Sequence, residues 1–273
     1  MINISKLTFG YNKKRHLFED LDLQIKQGSV YGLFGMNGAG KTTLLKLVSG
    51  MLFPKSGICE INGADSGKRL PEVLGNIFVI PEEFALPSVK ISTYVDLHAP
   101  FYPNFDNQLF DKYLKEFEIS NGKNLNAYSY GQKKKFLIAF GLATQTKILL
   151  MDEPTNGLDI PSKSQFRRIM ASISTEEQCV IISTHQVRDL ASIIDHVIVL
   201  DNGKIIFEKN TLDISQKLSF GKVKDDDTNY LYAEDILGGK AAIYKNTGQD
   251  SEIDLELLFN AIIKNTEIIN QAL

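Results

Sequence analysis

Gly35-Met36-Asn37-Gly38-Ala39-Gly40-Lys41-Thr42 satisfies every fixed position of the pattern G-x-x-x-x-G-K-[ST]. Just before it, Ser29 to Phe34 is a short apolar run without alternation, the mark of a strand buried on both faces. Just after it, Thr42 to Ser49 sets Leu44, Leu45, Leu47 and Val48 at helical spacing and ends on Gly50. A buried strand, a glycine turn and a helix together make a cradle for phosphate. The glycines let successive backbone N–H groups turn inward with no Cβ in the way, and the helix points its partial positive end at the same spot. Gly35, Asn37, Gly38, Ala39, Gly40, Lys41, Thr42 and the following Thr43 are therefore the candidate nucleotide-binding residues of this segment. Lys41 brings a full charge to the β and γ phosphates of a nucleoside triphosphate and is counted as catalytic too, while the Thr42 hydroxyl is placed to ligate Mg2+.

A second apolar run, Ile148-Leu149-Leu150-Met151, ends in Asp152-Glu153. In open α/β sheets ligands gather at the carboxyl ends of strands, so both acids are expected beside the cradle. Asp152 is expected to hold Mg2+ and Glu153 to orient and polarise the attacking water. The competing reading makes the two acids caps of the turn that Pro154 begins. A third buried run, Val180 to Ser183, leads to His185, which is placed to link Glu153 with the γ-phosphate. Taken alone, a histidine at a strand end is more often structural.

Farther out, Ile2 to Leu7 and Leu21 to Ile25 alternate apolar with polar residues, as half-exposed antiparallel strands do. From about Ser88 to Ala143 the chain is aromatic-rich and helix-compatible, notably Phe105 to Phe117, and reads as a helical insertion. The α/β pattern returns with a helix over Ser162 to Ser174 and another over Val187 to Ile194. Val197 to Leu200 and Lys204 to Phe207 then form a hairpin around Asp201-Asn202-Gly203. Beyond about Thr211 lies a smaller unit with a mobile, solvated joint at Asp225-Asp226-Asp227. It has strand candidates at Tyr230 to Tyr232 and Ala241 to Tyr244, and a final helix faced by Leu255, Leu258, Phe259 and Ile262.

The whole chain agrees with this outline. Its 273 residues suffice for one large domain with a small appendage. A hydrophobic content of 43% and a charged content of 23% fit a buried core, and a net charge of −3 gives no bias toward nucleic acid. Cys59 and Cys179 stand far apart in no metal-ligand spacing and read as reduced thiols in half-buried strands, which fits a cytoplasmic setting. Met1 to Lys6 lacks the pattern of a secretory leader, and no apolar run approaches the ~18 residues that span a bilayer. Work on a membrane is expected to go through a partner that crosses it.

From Ile2 to Asn210 the order of these motifs resembles the ATP-binding cassette (ABC) family. Tyr11 looks like that family's adenine-stacking aromatic, and Gly35 to Thr42 and Ile148 to Glu153 resemble its Walker A and Walker B motifs. Asn156-Gly157-Leu158-Asp159 resembles its D-loop, and His185 its switch histidine. Tyr128-Ser129-Tyr130-Gly131-Gln132 resembles the signature Leu-Ser-Gly-Gly-Gln at Ser129, Gly131 and Gln132, and departs from it at Tyr128, where the family has leucine, and at Tyr130, where it has glycine. Glu82, in Pro81-Glu82, stands where the family usually has the glutamine that touches Mg2+, a form similar to second-type ABC exporters. The resemblance implies a P-loop α/β core over residues 1–210, with an antiparallel β-subdomain and a helical subdomain at about 82–143. An α+β appendage over 211–273 follows. It also implies ATP and Mg2+ as ligands and a dimer of two such subunits, with the signature of each chain closing on the ATP of the other. A separate transmembrane permease would be the second partner, at the cytoplasmic face of the membrane.

Two runs of basic residues remain open. Lys133-Lys134-Lys135 reads better as a solvated helix face than as a nucleic-acid site, and Lys13-Lys14-Arg15 faces either the triphosphate or solvent. A soluble ABC ATPase acting on nucleic acid or ribosomes is the alternative function. That class usually brings a coiled-coil insert or a second cassette, and neither is found in this sequence.

Overall fold

The computed structural model describes residues 1–120, 122–173, 176–223 and 228–273. Strands β1 (Ile2–Phe9) and β2 (Phe18–Ile25) pair antiparallel, with Ile2 opposite Ile25 and Ile4 opposite Leu23. Their alternation follows from one buried face: Ile2, Ile4, Leu7, Leu21, Leu23 and Ile25 all point into the core. With β4 (Ser56–Ile61) and β5 (Ala64–Asp65) they complete a four-stranded sheet in the order β2-β1-β4-β5.

The central sheet has six strands. β3 (Ser29–Phe34) lies between β8 (Cys179–Thr184) and β9 (His196–Asp201), parallel to both. β7 (Ile148–Asp152) and β6 (Ile77–Ile80) extend it in parallel, and β10 (Lys204–Asn210) closes the far edge antiparallel to β9. Both faces of the sheet are covered, which is why its strands show no alternation. Leu33, Ile148, Leu150, Ile181 and Ile198 face helix α1 (Lys41–Val48) and the antiparallel sheet. Val30, Phe34, Leu149, Met151, Val180 and Ile182 face the other helices. The hairpin joining β9 to β10 turns on Asn202 and Gly203, whose φ angles of 45° and 75° suit the twist of the strands.

After α2 (Pro71–Leu74) and β6, the expected helical stretch holds α3 (Ile91–His98), α4 (Asn107–Glu116) and α5 (Tyr130–Ala143). Helix α5 is buried on all sides from Phe136 to Ala143 and carries Phe136 and Phe140 into an aromatic cluster with Tyr94, Tyr102, Phe105 and Phe110. Helix α6 runs from Ile160 to Ser172, starting two residues before the expected Ser162; Ser174 lies outside the described residues.

Two expectations need correction. Cys59 and Cys179 are free thiols, but both are fully buried rather than half-buried. Val187 to Ile194 is not an α-helix but a single 3-10 turn, Val187–Leu190. The chain must reach β9 at once, and Asp195 binds Val30 on both sides, its N–H to the Val30 carbonyl and its carboxylate to the Val30 N–H.

The last stretch, after α7 (Thr211–Lys217), forms a three-stranded antiparallel sheet with β13 (Gly239–Lys245) between β11 (Leu218–Lys222) and β12 (Tyr232–Ile236). β13 contains the expected Ala241 to Tyr244 strand and pairs with β12, but β12 shares only Tyr232 with the expected Tyr230 to Tyr232, and β11 is an additional strand. Helix α8 (Leu255–Ala272) buries Leu255, Leu258 and Ile262 as expected, leaves Phe259 half-buried against the same core, and bends at Asn265. These side chains share one core with Val187, Leu190 and Phe207. Asp225-Asp226-Asp227 lies outside the described residues.

Candidate functional site

β3, β8 and β7 are adjacent and parallel, so their carboxyl ends deliver three sets of residues to one edge of the sheet. Asp152, 3% exposed, receives a hydrogen bond from the Thr42 hydroxyl at 2.7 Å and another from the Ser183 hydroxyl. Glu153, 5% exposed, sits one residue on with φ 46°, a left-handed conformation that costs a glutamate about 1–3 kcal/mol. That bend turns its carboxylate toward the strand beside it. Thr184 Oγ1 donates to Oε2 at 2.8 Å, the His185 backbone N–H donates to Oε1 at 3.0 Å, and His185 Nδ1 lies 2.8 Å from the same oxygen. Neither acid caps the turn after Pro154, because these side-chain bonds run back to the cradle and to β8.

Lys41 is folded under the glycine loop. Its Nζ donates to the Gly35 carbonyl at 2.7 Å and lies 3.9 Å from Glu153 Oε1. Burial pulls its ammonium below the usual lysine value, and the charges of Glu153, Asp152 and Glu82 push it back up. Gly40 has φ 113°, and a Cβ there would meet the Phe18 ring at 2.8 Å, so the loop needs glycine on both counts.

These residues open on a cleft of about 970 Å³. Asn37, Gly38, Gly40, Thr42 and Thr43 line it, with Tyr11 on the rim, 68% exposed and hydrogen-bonded through its hydroxyl to Thr43 Oγ1 at 2.9 Å. Gly35 and Ala39 are buried in the loop behind. Of the first basic run, Arg15 lines the cleft while Lys13 and Lys14 stay exposed elsewhere. Glu82 also lines it, its Oε1 accepting from Asn156 Nδ2 at 2.9 Å.

Ser129, Gly131, Gln132 and Asp159 are not among the cleft residues. Ser129 and Gln132 satisfy each other across the first turn of α5, as a reciprocal capping box does. Asp159 caps α6 through the Ser162 N–H at 2.9 Å, and the Ser162 hydroxyl first, then this N–H, hold its carboxyl below the usual range. Gly157, with φ 79°, packs against the Tyr130 ring, where a Cβ would come within 2.9 Å. The second basic run is corrected: Lys133 and Lys135 are half-buried, and Lys134 is wholly buried rather than solvated.

Residues 18–156 match the model of the ABC transporter family. The chain belongs to that family. The bacitracin transport ATP-binding protein BcrA of Bacillus licheniformis is 30% identical over 214 residues, 76% of this chain and 69% of that one. The methionine import ATP-binding protein MetN of Carboxydothermus hydrogenoformans is 31% identical over 78% of this chain and 67% of its own. A solved ATP-binding subunit of an ABC transporter shares the fold, with TM-score 0.70 over 78% of this chain and 91% of that one, at 24% identity. This chain is thus an ATP-binding subunit of the ABC transporter class and an ATPase.

For an ABC ATPase, the sequence left several participants unmarked. Ser183 and Thr184, the hydroxyls that seat both acids, are ordinary strand-end residues with no pattern in the sequence that marks them. Asn156 was noted only within the D-loop resemblance, and no sequence signal separated Lys134 from its neighbours.

Proposed function

We propose that this chain is the motor of a membrane transporter, working as a pair of copies around two Mg-ATP. The observation that supports it most is the division of the predicted residues into two places. Lys41, Glu153 and His185 line one cleft and Asp152 is bonded to Thr42 in its wall, whereas Ser129, Gly131 and Gln132 open a helix outside it. A signature that does not reach its own cleft is completed by a second copy. There it would offer a serine hydroxyl and the positive end of α5 to the γ-phosphate of its neighbour.

In this reading Tyr11 stacks on adenine and the glycine loop seats the phosphates, with Lys41 turned from the Gly35 carbonyl to the β and γ oxygens. Thr42 and Asp152 suit Mg2+, because both present hard oxygen donors at one point, and Glu82 adds another nearby. The bound ion would neutralise charge on the phosphate oxygens. Glu153 accepts a proton from water as that water attacks the γ-phosphorus, and the bond to the bridging β–γ oxygen breaks. His185 orients Glu153 and the γ-phosphate, and Asp159 meets the partner copy.

We assign residues 1–210 to the nucleotide-binding domain, with 82–143 as the helical subdomain, and 211–273 to an appendage that packs on the core or supports the dimer. Among the described residues no helix is long and apolar enough to cross a membrane. A separate transmembrane permease, met at the cytoplasmic face, would convert closure and reopening into transport. Relatives carry both transport and import in their names, so similarity leaves direction open, and the Pro81-Glu82 form favours export.

The test is partition of the native protein after gentle lysis. Recovery with the membrane fraction, with a multi-span protein co-purifying, is expected. Recovery wholly with ribosomes or soluble protein would sink the transporter reading in favour of a soluble ABC ATPase.

A further inference from the structure

Glu82 and Tyr130, two of the departures from the family pattern, touch each other. The Tyr130 hydroxyl donates to the Glu82 carbonyl at 2.6 Å, and the Tyr130 ring stacks on Phe84 at 5.3 Å. On the first turns of the same helix, Lys134 is 0% exposed, with its Nζ 5.7 Å from the centre of the Tyr130 ring. A lysine with no solvent access is costly unless acceptors surround its ammonium. Here Nζ donates to the Glu153 carbonyl at 2.7 Å and reaches the Asn156 carbonyl at 3.4 Å. Burial lowers the affinity of Lys134 for its proton, and Glu82, Glu153 and Asp152 oppose that effect, Glu82 most strongly. The acids and the lysine form one compensated cluster.

Glu153 sits in a strained conformation, so the direction of its carboxylate depends on what holds its backbone. Its N–H donates to the Ser183 carbonyl, and its C=O accepts from Lys134 at 2.7 Å and from the Asn156 N–H at 3.2 Å. Asn156, the second Lys134 contact, is the residue that binds the Glu82 side chain.

We propose that Lys134 is a positioning residue for hydrolysis: from the signature helix it clamps the Glu153 and Asn156 carbonyls and so aims the Glu153 carboxylate. Through Asn156, Glu82 and Tyr130 the clamp ties the signature turn, the Glu82 loop and the end of β7 into one unit. Movement of α5 when two copies close is thereby transmitted to Glu153. The inference rests on Glu153 acting as the base.

The test uses the purified full chain with Mg-ATP, reading kcat, KM and nucleotide affinity for Lys134→Met, Lys134→Arg and Glu153→Gln. Lys134→Met keeps the length and apolar stem while removing the charge, and should lower kcat on the order of tenfold with KM within about twofold. Lys134→Arg should restore most of that loss, since it restores a cation under the same carbonyls. Wild-type kcat in Lys134→Met would overturn the proposal. So would equal losses in Met and Arg with KM raised in proportion, the mark of packing alone. Should Lys134→Met fail to fold, Lys134→Gln carries the same expectation, and wild-type turnover in it overturns the proposal equally. Normal hydrolysis by Glu153→Gln would instead remove the base on which the inference stands.

Discussion

Replacing Glu153 by glutamine exchanges one carboxylate oxygen for an NH2 and removes the proton acceptor while leaving the shape. The structure dictates how the amide would sit. Oε1 receives the His185 N–H at 3.0 Å and lies 3.9 Å from Lys41 Nζ, so that position must stay an oxygen. Oε2 receives the Thr184 hydroxyl at 2.8 Å, and that hydroxyl can rotate to accept from an amide instead. Thr184 Oγ1 already accepts from the Gln186 N–H at 2.9 Å, and a hydroxyl oxygen has room for both. The fold and ATP binding should therefore survive. Loss of a positioned general base removes about 10²–10⁴-fold in rate. At ~1.36 kcal/mol per decade, that is about 3–5 kcal/mol of transition-state stabilisation. Single-turnover hydrolysis of radiolabelled ATP, with affinity measured in parallel, reads both quantities. A rate within tenfold of wild type, at unchanged affinity, would refute the assignment of Glu153 as the base.

Other outcomes follow from the same geometry. Ser129→Arg should leave ATP affinity of the single chain unchanged, since Ser129 lies outside its own cleft. In a Glu153→Gln background it should abolish the ATP-dependent dimer on size exclusion; weakened binding by the monomer would contradict an intersubunit signature. Leu258→Ala, at a wholly buried position sharing a core with Val187 and Leu190, should cost about 2–5 kcal/mol in denaturant unfolding. A loss under 1 kcal/mol, roughly a surface effect, would show that α8 is only loosely attached. Asp159 is held below an ordinary aspartate's 3.8 by the Ser162 hydrogen bonds, so its stabilising effect is complete above that pH and fades as pH falls below it. Asp159→Asn keeps a capping oxygen but cannot titrate, and its unfolding curve should lose that acid-side contribution; an identical acid limb would discard it.

Legibility from sequence was uneven in a physically sensible way. The cradle, the Asp152-Glu153 strand end and the Asn202-Gly203 hairpin are contiguous, and each needs residue types that few other conformations demand. The failures lie where one segment answers to another far along the chain. Val187 to Ile194 has helix-compatible residues, yet Asp195 is bound to Val30, and the short path to β9 leaves room for only a single 3-10 turn. Lys133, Lys134 and Lys135 are alike in sequence, but only the middle one points under α5 at the Glu153 carbonyl.

By itself the sequence determined that a phosphate cradle, two carboxylates and a histidine occur at the ends of buried strands, and that a signature-like turn opens a helix. Local pattern is enough for that, because strand burial, glycine turns and helix caps are decided by near neighbours. Only the tertiary structure decided which of these residues meet. It set Thr42 on Asp152 and His185 on Glu153, left Ser129 outside the cleft, and joined Glu82 to Tyr130 and Asn156. Those contacts depend on strand order and helix packing across the whole chain, which no local window contains.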